Sequence, residues 1–250
     1  MRGQDMKKKL YVIGLGPGSE DQITPKAMAA LRESGYIYGY SVYIKLIAHL
    51  FEGKNMIDTP MRQEIARCRL ALEKADEGNT VSIVSSGDPN VYGMSALIYE
   101  LSEEYPEVEI EAVSGITAAL SGAALLGAPL SHDFVLISLS DLLTPWELIE
   151  KRLTHAALGD FCICLYNPSS MKRKDYLSRA CGILLSYRDP DTVCGLVRNI
   201  DREDEASTVL KLSELKETSA DMFTTVFIGN SQTRTIGGRI LTPRGYNIKS

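Results

Sequence analysis

The sequence predicts an α/β protein in two domains, each a mixed, mainly parallel sheet flanked by helices. Three observations carry this. Unbroken apolar runs, such as residues 81–84, fit strands buried on both faces. Segments of helical length separate them, the alternation that builds parallel sheets. A segment at 127–133, Gly-Ala-Pro-Leu-Ser-His-Asp, interrupts the pattern and sets the domains at 1–126 and 127–250.

In chain order, Lys9–Gly14 is a continuously apolar first strand, turned by Gly14-Leu15-Gly16-Pro17-Gly18. Thr24 as N-cap and Pro25 at the first helical position open a helix that stops at Gly35. Residues 36–38 read as a short strand and 42–51 as a helix. Residues 62–77 read as a longer helix, with Ile65, Leu70 and Leu72 as its apolar side and Gly78 as its stop. Residues 80–84 form a strand, 95–101 a helix, 108–113 a strand, and an Ala/Leu-rich helix reaches about Leu126 to close the first half. The second half reads as a strand at 134–139, then a helix whose Thr144-Pro145 start repeats Thr24-Pro25. A strand at 161–166, a helix at 174–186, a strand at 191–198, an edge strand at 207–211 and a core strand at 224–228 follow. Residues 246–250 read as a frayed tail. Solenoid-length repeats and low-complexity tracts are absent.

With 44% hydrophobic and 24% charged residues, the chain has the composition of a soluble globular protein. A net charge of −5 gives no field to attract nucleic acid, and a polyanionic ligand would need local arginines. The five cysteines form no C-x-x-C pair and have no histidine nearby, so no metal site is expected and all five read as buried thiols. The basic stretch 1–9 has no signal-type apolar core, and no run reaches membrane-spanning length. The expectation is a cytoplasmic protein with no membrane partner.

Chemistry is concentrated at corners that follow strands. Residues 85–94 put a glycine, an acid and a proline where a strand hands over to a helix, the place where open α/β sheets bind ligands. An ordinary βα loop accounts for that corner equally well. The glycine corner at 14–18 fails two tests. A Rossmann fingerprint needs a third glycine where Ser19 stands, and a P-loop needs Gly-Lys-Ser/Thr. It is left as a packing turn or as a place where backbone approaches a ligand. Ser114-Gly115-Ile116-Thr117-Ala118 makes a third corner, either a plain N-cap or a set of exposed peptide N–H groups. Three such corners in one half point to a ligand gripped by backbone.

These residues carry a resemblance. Gly14-Leu15-Gly16-Pro17-Gly18, Ser86-Gly87-Asp88-Pro89 with Tyr92-Gly93, and Ser114-Gly115-Ile116-Thr117-Ala118-Ala119 resemble the tetrapyrrole methylase family. In the second half, Leu139 through Trp146, Tyr166-Asn167-Pro168-Ser169-Ser170, Val197-Arg198-Asn199, Met222 through Thr233 and Thr242-Pro243-Arg244-Gly245-Tyr246 resemble its precorrin-3B C(17)-methyltransferase branch. The similarity runs from about Lys9 to Tyr246. It departs from the wider family where Ser86 replaces a glycine and where Asn167, rather than a methionine, follows Tyr166.

The resemblance implies the two-domain class III fold, S-adenosylmethionine as methyl donor, a tetrapyrrole substrate of corrin synthesis methylated at carbon 17 with ring contraction, and a homodimer. It implies cofactor contacts at Pro17, Ser86, Gly87, Asp88, Val91, Thr117 and Ala118, with Asn167, Asn199 and Thr224 closing the cleft from the second domain. Asp88 would orient the donor, since methyl transfer is an in-line displacement that asks chiefly for alignment and dryness. Ring contraction needs proton shuttling near the ring, for which the sequence identifies no base; Asp141 and Thr144, in the loop after Leu139, are the candidates for catalytic substrate contact, and a plain N-cap also accounts for Thr144. The substrate's carboxylates suit arginine clamps, with Arg62, Arg198 and Arg244 as candidates against a solvated-surface role. Trp146 and Tyr92 are candidate walls of an aromatic pocket, and His132 a linker residue. Another acceptor, such as uroporphyrinogen or diphthamide, and a silent binding module are the competing readings.

Overall fold

The computed structural model describes residues 7–170 and 173–247. The basic amino end and the tail at 246–250 fall in part outside them. The chain divides into two compact units, Met1–Thr117 and Ala118–Ser250.

In the first unit β1 (Lys9–Gly14), α1 (Pro25–Glu33), β2 (Tyr36–Tyr40), α2 (Ser41–Ile47), β3 (Asn55–Thr59), α3 (Glu64–Asp76), β4 (Thr80–Ser85), α4 (Ser95–Leu101) and β5 (Glu109–Val113) follow in order. The sheet order is β3-β2-β4-β1-β5 and every pairing is parallel. Strand periodicity sorts β1 between two cores: Leu10 and Val12 pack with α3 and α4, while Tyr11 and Ile13 pack with α1 and α2. Thr24 caps α1 as expected, its hydroxyl accepting from Ala27 N at 3.2 Å.

Two readings change here. The sequence showed no strand at β3, because Asn-Met-Ile-Asp-Thr is an edge strand with polar ends rather than an apolar run. The buried stripe of α3 is Arg67, Cys68, Ala71, Leu72 and Ala75, whereas Ile65 and Leu70 are exposed at 60% and 43%. Small residues let α3 lie close on the sheet, and large apolar residues on its outer side misled the pattern.

On edge strand β5, Glu111 forms ion pairs with Lys26 at 2.7 Å and Lys9 at 2.9 Å. Hydrogen bonding to Lys26 first, then Lys9, holds its carboxyl down at about 2, against an ordinary 4.5. The folded value is the lower one, so this stabilisation is complete above the unfolded value and is lost as pH falls toward 2. Urea midpoints of wild type should therefore drop between pH 5 and pH 2.5, and Glu111→Gln should flatten that slope; an unchanged slope would remove Glu111 from the account.

The second unit contains α5 (Ala118–Leu126), β6 (Gly127–Ala128), β7 (Phe134–Ser138), α6 (Trp146–Leu158), β8 (Cys162–Tyr166), α7 (Tyr176–Leu184), β9 (Val193–Arg198), β10 (Ala206–Lys211), α8 (Leu212–Lys216), β11 (Thr224–Ile228), β12 (Arg234–Ile236) and β13 (Arg239–Leu241). Its main sheet has the order β10-β9-β11-β8-β7, and a small sheet joins β12, β13 and β6. The mainly parallel expectation meets a limit here. Only β7 and β8 pair in parallel in the main sheet; β11 runs antiparallel to both β8 and β9, and β10 antiparallel to β9. The cause is the short link from β9 to β10, which carries no helix and so reverses the chain.

Helices α6, α7 and α8 cover one face of this sheet, and α5 covers the other with Ala119, Ala123 and Leu126 against Val197 and Phe227. That packing places the division after Thr117, earlier than the Gly-Ala-Pro segment suggested. An added Cβ on Gly122 would sit 2.9 Å from the Phe227 ring, so α5 belongs on the second sheet. The Thr144-Pro145 start does not repeat the α1 cap. Pro145 itself occupies the N-cap, and no side chain bonds there.

Within α7, an added Cβ on Gly182 would meet nothing within 4 Å. Gly182→Ala should therefore raise stability by about 0.5–1 kcal/mol in urea unfolding; a loss would mean that α7 is more tightly covered than described.

Candidate cofactor and substrate site

Strands β4, β1 and β5 are neighbours, so the loops after Ser85, Gly14 and Val113 emerge side by side at the carboxyl edge of the first sheet. The adjacent strands β1 and β4 send their following helices, α1 and α4, to opposite faces of the sheet, the arrangement at which α/β sheets open a ligand crevice. The corners are knitted together by backbone. Gly16 and Gly87 exchange both N–H···O bonds, at 3.1 and 2.7 Å, and Leu15 N donates to Ser85 O at 2.9 Å. Gly87 does this at φ +66°, a conformation that resists side chains. An added Cβ on Gly14 would stand 2.8 Å from Gly115 N and would overlap the Gly87 carbonyl. The glycines are thus required first for the corners to touch one another.

Asp88 is the brace between two corners. Its Oδ1 accepts from Asn90 N at 2.8 Å and its Oδ2 from Gly115 N at 3.1 Å. Pro17 is buried, and Ser86, Gly87, Asp88, Val91 and Thr117 are half-buried around it. Two hydroxyls flank the Asp88 corner, Ser85 at the end of β4 and Ser95 at the start of α4. Both are nearly inaccessible and lack a hydrogen-bond partner among the described residues. Peptide groups from three corners and two orphaned hydroxyls fit a polar, nucleoside-like ligand better than an apolar one.

In the second unit the register gathers Tyr166, Arg198 and Thr224 at one end of the main sheet, with Asn167 and Asn199 next in chain. Asn167 and Asn199 adopt left-handed backbone, φ 53° and 52°, which asparagine tolerates well. Asn167 Nδ2 donates to Ser138 Oγ at 3.0 Å. Thr224 is buried and its hydroxyl donates to Asp221 Oδ1 at 2.9 Å. Asp221 also binds Arg198 Nε at 2.7 Å, a hydrogen bond that pushes the arginine's pKa further up. The Arg198 guanidinium is therefore already engaged. Tyr166 serves α5, whose first-turn amide Ala119 N donates to the Tyr166 hydroxyl at 2.7 Å. Ala118 opens that helix, half-buried.

Asp141 lies in the loop after β7 and is anchored from two sides, by Tyr176 OH at 2.6 Å and by Arg173 Nε at 3.3 Å. Arg173 also donates to Ser140 Oγ at 2.8 Å. The hydrogen bond to Asp141, with burial, raises the Tyr176 pKa. Thr144 lies in the same loop without capping α6. Trp146 stacks with Tyr176 at 4.6 Å, and the Arg179 guanidinium sits 4.1 Å over the indole. Sequence reading missed Arg173, Tyr176 and Arg179, since nothing in a helix start signals that its side chains reach another loop.

The remaining candidates are scattered. Arg62 is exposed, at φ 69°, in the segment joining β3 to α3 at the far edge of the first sheet. Arg244 lines a cavity of about 380 Å³ with His132, Asp160 and Gln232. That cavity lies beside Phe161 and Asn230, the opposite end of the second sheet from Asn167 and Thr224. His132 is thus a cavity-lining residue. Tyr92 is 55% exposed, at φ 56°.

All five cysteines are buried and unbridged, with burial pushing Cys68 and Cys181 up to about 12. Among the described residues no group of three His, Cys, Asp or Glu is placed to hold a metal ion, and no helix is long and apolar enough to cross a membrane.

Two α/β units with backbone corners at adjacent strand ends define a class, and comparison with known proteins identifies it. The model of the tetrapyrrole (corrin/porphyrin) methylases matches residues 9–216, and the chain belongs to that family, with its class III two-domain fold. The chain is 42% identical over 240 residues to the "probable cobalt-factor III C(17)-methyltransferase" of Salmonella typhimurium, covering 96% of this chain and 100% of that one. It is 46% identical over 242 residues to "cobalamin biosynthesis protein CbiHC" of Archaeoglobus fulgidus, covering 96% of this chain. It spans about half of that relative (53%) and of the Priestia megaterium "cobalt-factor III methyltransferase" (46%). Among solved structures, the methyltransferase CobJ superposes with TM-score 0.87 at 43% identity, covering 94% of this chain and 99% of that one.

Proposed function

We propose that this chain transfers a methyl group from S-adenosylmethionine to carbon 17 of a precorrin-3B or cobalt-precorrin-3 type tetrapyrrole, with contraction of the macrocycle, in corrin-ring synthesis. The observation that carries this reading is the match along the full length of the Salmonella relative, whose name specifies cobalt-factor III and carbon 17. The likeness to CobJ supports it. A uroporphyrin-III C-methyltransferase from Thermus thermophilus, solved with S-adenyl homocysteine, shares the fold at 22% identity and TM-score 0.68.

The bound donor would supply an activated sulfonium methyl. The chain's own residues then bind, align and exclude water. Ser86, Gly87 and Val91, with Pro17 and Thr117, are the candidate donor contacts on corners that Asp88 holds at fixed spacing. Ala118, Asn167, Asn199 and Thr224 are candidate contacts from the second unit. Asp141 is the candidate proton acceptor for contraction, kept in one orientation by Arg173 and Tyr176; Thr144 lies three residues on. Arg62 is a candidate for substrate carboxylates, and Arg198 could serve only by leaving Asp221. A cytoplasmic homodimer belongs to the same proposal, and sedimentation at micromolar concentration tests its second half.

Calorimetry with S-adenosylmethionine, followed by labelled methyl transfer to cobalt-factor III and to precorrin-3B, tests the function. Transfer to either supports it and shows whether the substrate carries cobalt. Transfer to uroporphyrinogen or diphthamide instead would reassign the acceptor, and tight donor binding without any transfer would make the chain a binding module.

A further inference from the structure

We propose that Arg179, held against Trp146 and Tyr176, is a carboxylate receptor that fixes the tetrapyrrole by one of its acidic side chains. This rests on the acceptor class proposed above and names a residue for its recognition.

The arginine is built into place. Its guanidinium lies 4.1 Å from the Trp146 ring and 5.2 Å from the Tyr176 ring. Those rings pack at 4.6 Å with a 53° tilt. Tyr176 is fixed in turn by its hydroxyl on Asp141, and Asp141 by Arg173, which also holds Ser140. A surface arginine normally loses considerable rotamer freedom when it captures a ligand. Here the aromatic pair has already restricted it, while a guanidinium lying over a ring face keeps the N–H groups at its edge open to a planar anion.

Charge bookkeeping points the same way. Arg69, Arg173, Arg188 and Arg198 each have a carboxylate within 4.0 Å, whereas others, Arg62 and Arg152 among them, have no such partner among the described residues. Arg179 has none among the described residues, although its side chain is exposed and Asp141 is bound to its stacking partner. Its location also suits the role. It stands one turn beyond Tyr176, on the helix that follows β8 and Asn167, and so is tied to the loop carrying Asp141 and Thr144. Arg244, by contrast, stands at the opposite end of that sheet, and Arg198 is occupied.

The test uses the full chain with cobalt-factor III. Arg179→Ala should raise the tetrapyrrole KM about tenfold or more, as expected for losing a charge-assisted bidentate contact. The S-adenosylmethionine dissociation constant and the melting temperature should stay within error. Arg179→Lys should recover only part of the loss, because an ammonium keeps the charge without the fork or the stack. Trp146 is the one tryptophan in the chain, so its fluorescence during titration gives an independent binding midpoint, which should shift with Arg179→Ala. Esterifying the side-chain carboxylates of the substrate should weaken its binding to wild type by a larger factor than its binding to Arg179→Ala. An unmoved tetrapyrrole constant in Arg179→Ala, or equal losses for donor and acceptor, would overturn the role of Arg179 alone. Wild type that neither binds nor methylates the tetrapyrrole would overturn the acceptor assignment and this proposal with it.

Discussion

Gly115→Ala is expected to destabilise the first unit by about 3 kcal/mol, the upper range for overpacking a tight site, and to abolish measurable S-adenosylmethionine binding. The added methyl would overlap the Gly87 carbonyl and stand 2.7 Å from Gly14 C and O. All three obstacles are backbone, which cannot rotate aside as a flexible side chain can. The backbone of Gly115 itself is not in the left-handed region, so contact alone carries the effect. Gly35→Ala is the matched control, because its Cβ would meet only Thr80 O, at 3.9 Å, and should be neutral or slightly stabilising. Urea unfolding and calorimetry on both variants decide the matter. A Gly115→Ala protein with wild-type stability and affinity would show that the corners are not closely packed.

Asp88→Asn should cost about 1.5–3 kcal/mol of stability, the range for a hydrogen bond to a charged group, and should weaken donor affinity in parallel. An amide oxygen can still accept from one peptide N–H, but the amide nitrogen then faces the other N–H donor to donor. Asp88→Ala removes both bonds and should lower stability and affinity further. Sequence reasoning alone expected affinity to fall more than stability, because it took Asp88 as an orienting contact. Its bonds to Asn90 and Gly115 make it a brace first. Loss of affinity with unchanged unfolding would return Asp88 to direct contact with the donor.

Much of the fold was open to reading. Continuous apolarity marks β1, β4 and β8, and Thr24-Pro25 marks the start of α1 because its cap uses residues adjacent in chain. Where a pattern depends on distant partners, reading failed. Thr144-Pro145 repeats Thr24-Pro25 in letters but not in geometry. Edge strand β3 lacks an apolar signature, since one side of it faces no neighbour. Helix α5 looks like the end of the first half, and only the match of its small-residue face to Phe227 assigns it to the second.

The sequence by itself determined the alternation of strands and helices, the three glycine-bearing corners and, through their order, the family. These depend on hydrophobic period and on local backbone chemistry, which neighbouring residues encode. Only the tertiary structure decided that the corners touch through Gly14, Gly87 and Gly115, that Asp88 spans two of them, that Arg198 is engaged by Asp221, and that Arg179 is stacked without a carboxylate partner among the described residues. Each of those facts depends on a distance between residues far apart in the chain, and such distances are fixed by sheet order and helix packing.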